Sequence, residues 1–175
     1  GGDFSNADLP GSFTTTGTVT FNAVDAGNTI APGGASFYNV TFDGVGGSWS
    51  LTDDLTVLND FSIANGTFDG GGLGTLYDLD IGGAFNQSGG SFTAPKGDLT
   101  FHGDFTFSSG TFDHNSGNVI FYTKDSGAVT NIISNSAVFN NVTFTNLLGS
   151  ISSIQLSTDM IIAGNLPVQN EASGE

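Results

Sequence analysis

Gly90-Ser91-Phe92 and Gly97-Asp98-Leu99-Thr100-Phe101 recur twenty residues later as Gly110-Thr111-Phe112 and Gly117-Asn118-Val119-Ile120-Phe121. A period of this size is that of a solenoid, whose repeat is one coil that cannot bury its apolar face alone; stacked neighbours bury it. Stacking sets like over like. The pattern therefore predicts one column through Phe92 and Phe112 and another through Phe101 and Phe121.

A longer period runs over the short one. Phe37-Tyr38-Asn39-Val40-Thr41-Phe42 returns as Phe139-Asn140-Asn141-Val142-Thr143-Phe144, and Gly17-Thr18-Val19-Thr20-Phe21 as Gly117 to Phe121. Gly11-Ser12-Phe13 matches Gly110 to Phe112, Ser48-Trp49-Ser50 matches Ser150-Ile151-Ser152, and Asp54-Leu55-Thr56-Val57 matches Asp159-Met160-Ile161-Ile162. Matched segments keep their length, and the extra residues fall in the Gly, Ser and Asn stretches between them, where loops absorb insertions. The 37–42 phrase reads as a rung that aligns one copy on the next. Organisation follows: 1–10 a lead-in or edge, 11–166 one solenoid domain with about one and a half copies of a super-repeat of roughly 100 residues, and 167–175 a polar tail.

Within the segments, Val19 and Phe21 alternate with Thr18 and Thr20, and Trp49 with Ser48 and Ser50, as half-buried strands require. Sixteen Phe supply core, and the remainder is the Gly, Ser, Thr, Asn and Asp of strands and turns. Cysteine is absent, so neither disulfides nor thiolate metal sites hold the fold. No apolar run reaches the ~20 residues of a membrane-spanning helix, and residues 1–10 have no signal-peptide pattern.

Seventeen acidic residues face two basic ones, Lys96 and Lys124, for a net charge of -15. Phosphate neutralisation needs Lys and Arg, so nucleic acid and anionic membrane surfaces are poor partners, whereas cations or neutral sugars are compatible. The simplest reading of the charge is a soluble surface.

The spacing and the lack of two-residue hairpin turns between matched strands favour an all-β, right-handed parallel β-helix of about 20–24 residues per coil over a β-sandwich of repeated modules. The phrases Ala35-Ser36-Phe37-Tyr38-Asn39-Val40-Thr41-Phe42, Gly47-Ser48-Trp49-Ser50-Leu51 and Leu55-Thr56-Val57 resemble the repeats of large bacterial cell-surface, adhesin-like proteins with extracellular β-helices. The likeness covers roughly residues 11–166. It implies location and architecture, and it carries over no catalytic residue.

Chemistry is sparse. Polygalacturonases of this fold place acid and base carboxylates beside Asn-Thr-Asp, Asp-Asp, Gly-His-Gly and Arg-x-Lys motifs. Here only Asp53-Asp54 and His102-Gly103 echo them, and Arg is absent, so no enzyme is expected. Asp78 and Asp80 flank Leu79 on one outer face and are the weak calcium candidates, although two solvated carboxylates explain them as well. The Gly-Gly-x-Gly-x-Asp calcium motif does not occur. His102 and His114 lie twelve apart, out of step with the coil, and read as surface or turn residues. Outward threonines (Thr18, Thr20, Thr41, Thr56, Thr100, Thr143) form no unbroken ice-binding ladder, because Ile120 falls above Thr100. Sequons stand at Asn39, Asn65, Asn86 and Asn141.

The expected function is a structural, extracellular module of a stalk, filament or fibre. Its expected partners are other copies of itself stacked end to end, or neighbouring repeats of a longer chain. The alternative is an adhesin-type module binding carbohydrate or calcium.

Overall fold

The computed structural model describes residues 2–6, 13–71, 75–123, 129–146 and 153–167. They form nineteen strands and no helix, and every strand ladder among them is parallel. Parallel pairing excludes the sandwich alternative, which is built from antiparallel hairpins. The chain is a β-solenoid of about six turns, three faces to a turn.

The first face carries Thr18–Phe21, residues 39–42 and 61–63, Phe85–Gln87, Phe105–Phe107, Val129–Ile133 and Ser153–Leu156. Phe4–Ser5, Asn28–Ala31, residues 48–51 and 67–69, Ser91–Thr93 and Thr111–Asp113 form the second. Val138–Phe139 and Ile161–Ile162 pair with each other in the same position of the two following turns. The third face is a six-stranded sheet: Ser36–Phe37, Leu55–Val57, Leu79–Ile81, Asp98–Phe101, Asn118–Thr123 and Asn141–Asn146. Asn39–Leu51 and Phe61–Asp69 each run across a corner, so one continuous strand serves two faces. Phe4–Ser5, inside the stretch read as a lead-in, pairs with Ile30–Ala31. Lys124, the Ser150-Ile151-Ser152 match and residues 168–175 of the tail lie outside the described residues.

Strand alternation turns every second side chain inward, and stacking then aligns the aromatic ones. Phe92 lies over Phe112 (ring centroids 5.3 Å) and Phe101 over Phe121 (5.2 Å), as the twenty-residue period predicts. The columns extend further than the sequence match. Phe68, Phe92 and Phe112 form one; Phe61, Phe85 and Phe105 form another, the last pair 5.0 Å apart and 3° from parallel. Trp49 is fully buried, in line with its place between two serines.

Corners impose their own residues. Gly66, Gly90 and Gly110 stack at the turn from the first to the second face with φ of +83°, +60° and +103°. A Cβ on Gly90 would stand 2.5 Å from Gly66 O, and one on Gly110 2.3 Å from Gly90 O, so both dihedral and space demand glycine there. Buried amides satisfy carbonyls turned inward at corners. Gln87 Nε2 donates to Thr111 O at 2.9 Å, and Asn28 Nδ2 to Asp25 O at 2.8 Å.

The two copies of the long repeat do not superpose face on face. Residues 18–21 lie on the first face and 118–121 on the third; 39–42 lie on the first and 141–144 on the third; 55–57 lie on the third and 161–162 on the second. From Thr18–Phe21 to Asn118–Thr123 the chain passes fourteen strand positions, which at three per turn is four and two-thirds turns. The 37–42 phrase thus aligns the chain within its own turn, and its echo at 139–144 is rotated by a third of a turn.

Candidate functional site

The third face carries most of the polar chemistry singled out above. Its inward positions are Leu55, Leu79, Leu99, Val119 and Val142, then Val57, Ile81, Phe101, Phe121 and Phe144, which fixes three outward rows. At the entering corner stand Asp54, Asp78, Asp98, Asn118 and Asn141. Along the middle run Ser36, Thr56, Asp80, Thr100, Ile120 and Thr143. At the exit follow Tyr38, Leu58, Gly82, His102 and Tyr122.

The entering row is a hydrogen-bonded ladder. Asp54 Oδ1 accepts the Asp78 N–H (3.0 Å), and Asp78 Oδ1 accepts the Asp98 N–H (2.8 Å). Asn118 Nδ2 donates to Asp98 Oδ1 (3.2 Å), Asn141 Nδ2 to Asn118 Oδ1 (3.0 Å), and the Asn165 N–H to Asn141 Oδ1 (3.0 Å). The calcium candidates therefore face different partners. Asp78 belongs to the ladder, while Asp80 Oδ1 lies 2.9 Å from His102 Nε2. That oxygen is shielded from solvent and has no hydrogen-bond partner among the described residues, the imidazole being near it in distance alone. Among the described residues no three His, Asp or Glu side chains gather as a set able to hold a metal ion.

His102 also stacks on Tyr122, with ring centroids 4.8 Å apart and planes within 14°. The Asp80, His102 and Tyr122 group escapes a reading by residue type, but the spacing contains it. Phe101 and Phe121 are one coil apart, and so are the residues that follow them. His114 is elsewhere, its Nδ1 accepting the Ser116 N–H at 2.9 Å. Asp53 and Asp54 bind backbone, Asp53 Oδ2 taking the Gly33 N–H at 3.0 Å. The polygalacturonase echoes thus have separate structural partners.

Outward threonines occur as expected in a broken row, since Thr100 registers with Asp80 on one side and Ile120 on the other. Of the sequon asparagines, Asn39, Asn65 and Asn141 are tied to neighbouring coils through Asn59, Asp43 and Asn118. Asn86 is exposed on the first face. No helix among the described residues is long and apolar enough to cross a membrane. Comparison with known proteins finds no matching family model, no matching curated protein and no matching solved structure.

Proposed function

We propose that the chain is a structural module of an extracellular stalk, filament or surface layer, extended by stacking coil on coil. The observation that carries this reading is the state of the two ends. Ser153–Leu156 and Asn141–Asn146 are the last strands of their sheets, and beside them Phe144, Ile154, Met160 and Ile162 are only partly covered. At the other end Phe4, Phe13 and Val19 are likewise only partly covered. Among the described residues no strand lies beyond these two, although the Val142 N–H of the second is taken by Asn165 O at 2.9 Å. Such edges pair readily with another chain. A further coil, from the same chain or from a second copy, covers the rings and the ladder together. The extracellular setting rests on the resemblance of the repeats to those of adhesin-like surface proteins.

Sedimentation velocity and negative-stain imaging over a range of concentrations test the proposal. Fibres of constant width that lengthen with concentration support it, and Ile154→Lys, which puts a charge on the end rung, is expected to shorten them. A monomer at every concentration, with no particle longer than one solenoid, overturns assembly by stacked copies.

A further inference from the structure

The six strands of the third sheet mark the turns that close on all three faces, and among the described residues the chain crosses that face twice more. Thr14 bridges Ser36 before the first of these strands, and beyond the last Asn165 O accepts the Val142 N–H at 2.9 Å. Counted pass by pass, the path begins on the second face at Phe4–Ser5 and ends on the third at Asn165. It crosses the second and third faces eight times each and the first seven times, 23 passes in all. Three passes make a turn, so the path stops a third of a turn short of a whole number. Pro167 has no N–H to bring to a ladder, and the residues after it carry no alternating apolar pattern, so the sequence does not write a further strand there.

That shortfall decides how a second copy can sit on the first, given the stacked assembly proposed above, on which this step rests. The pass that should follow Asn165 lies on the first face, beside Ser153–Leu156, whereas the next copy opens with a second-face strand. Set down without rotation, the two copies pair on the second and third faces and leave a gap one strand wide on the first, about 9.6 Å between Ser153–Leu156 and the next Thr18–Phe21. Ladder groups on both rims then stay unpaired, and Leu156, half exposed, stays open. Turned by a third of a turn, the next copy lays Phe4–Ser5 on the first face, Thr14 on the second and Thr18–Phe21 on the third, and all three ladders run on without a break. Within one chain the same step already occurs, since 18–21 lies on the first face and its echo 118–121 on the third. Val19 and Phe21 of the arriving copy continue the inward columns of Val119 and Val142 and of Phe121 and Phe144.

We propose that copies stack head to tail, each turned by a third of a turn about the solenoid axis relative to the one before it. The open edge at Ser153–Leu156 is then the seat of Phe4–Ser5 of the next copy. One copy rises about 37 Å at about 4.8 Å per turn, and the fibre repeats after three copies, at about 110 Å.

Fibres of the full chain are imaged by cryo-electron microscopy and, separately, cross-linked through paired cysteines, which the chain otherwise lacks. Ser5→Cys or Asp3→Cys is combined with Gln155→Cys, its neighbour in the turned stack, and with Ile161→Cys, its neighbour in the unturned one; all four residues are exposed. Strands one rung apart bring their Cα atoms within disulfide range, and the two ends of one copy lie too many rungs apart to bond within it. An unchanged emission maximum of buried Trp49 verifies that each variant is folded. A repeat of about 110 Å, with covalent oligomers formed through Gln155→Cys and not through Ile161→Cys, supports the proposal. A repeat of about 38 Å, linkage through Ile161→Cys, or fibres that link through neither pair overturn it and leave stacked assembly standing. Particles no longer than one solenoid, with no linkage through either pair, overturn both.

Discussion

Replacing Phe85 by Ala tests whether the ring columns hold the solenoid together. Phe85 is fully buried and touches five other rings: Phe61 at 5.7 Å and Phe105 at 5.0 Å along its own column, and Phe92, Phe101 and Phe112 across the interior at 5.2, 5.4 and 6.5 Å. Truncating a buried Phe typically costs about 3–5 kcal/mol. The upper part of that range applies, because the stacked coils above and below are tied by parallel ladders and cannot close on the void. At roughly 2–4 °C per kcal/mol for a chain of this size, about 4–5 kcal/mol lowers the melting temperature by about 8–20 °C. Phe144 is the contrast, since it is partly covered and among the described residues its ring packs against Phe121 alone, at 5.6 Å. Phe144→Ala is expected to cost about 1–2 kcal/mol. Urea unfolding followed by far-ultraviolet circular dichroism, and independently by the fluorescence of Trp49, the single tryptophan, reads both. Equal losses for the two variants would refute a core whose strength lies in its central rings.

Gly66→Ala is expected to destabilise by roughly 2–4 kcal/mol, from the left-handed φ together with a Cβ placed 2.6 Å from Gly44 O and 2.9 Å from Trp49 Cζ3; a shifted Trp49 emission maximum and a lower urea midpoint check it. Asp78→Ala orphans the Asp98 N–H and should cost about 1 kcal/mol, whereas Asp78→Asn keeps a weaker, neutral acceptor, so its thermal midpoint should fall between those of the parent and Asp78→Ala. Raising NaCl from about 0.02 to 0.2 M shortens the screening length to about 7 Å and should raise the melting temperature, because the chain carries charges of nearly one sign; a fall on adding salt contradicts that.

Fold and site differed in how far the sequence exposed them. The inward columns were legible because burial demands an apolar side chain at every second residue, so Phe92 and Phe112, or Phe101 and Phe121, announce their own register. Outward residues carry no such demand. Asp80, His102 and Tyr122 share neither type nor phrase, and only the spacing of the phenylalanines beside them brings them together. The long repeat misleads for a related reason. All three faces ask for the same short alternating strand, so a phrase such as Asn-Val-Thr-Phe serves the first face at 39–42 and the third at 141–144. About 100 residues over four and two-thirds turns is about 21 per turn. Five whole turns would need coils of 20 throughout, and register partners here stand from 19 residues apart (Trp49 and Phe68) to 27 (Phe105 and Ile132).

The acidity admits the same kind of argument. A surface made acidic for solubility alone takes Glu as readily as Asp. In this chain the two glutamates are Glu171 and Glu175, and the other 15 of the 17 acids are Asp. Reach is the difference. At a corner the backbone N–H groups turn outside the strand ladders, and a carboxylate one carbon from its Cα neighbourhood can accept from the coil beside it. Asp3 accepts from the Thr29 N–H, Asp53 from Gly33, Asp54 from Asp78, Asp60 from Ala84, Asp78 from Asp98 and Asp104 from Asn131, at 2.7–3.0 Å and across 20–27 residues. A carboxylate acceptor makes such bonds stronger than a neutral one. Lys and Arg have no acceptor to offer, and an extra methylene in Glu carries the oxygens past the neighbouring rung. Much of the negative charge is thus the by-product of fastening coil to coil, and Asp78→Glu, which keeps the charge and loses the fit, should destabilise nearly as much as Asp78→Ala.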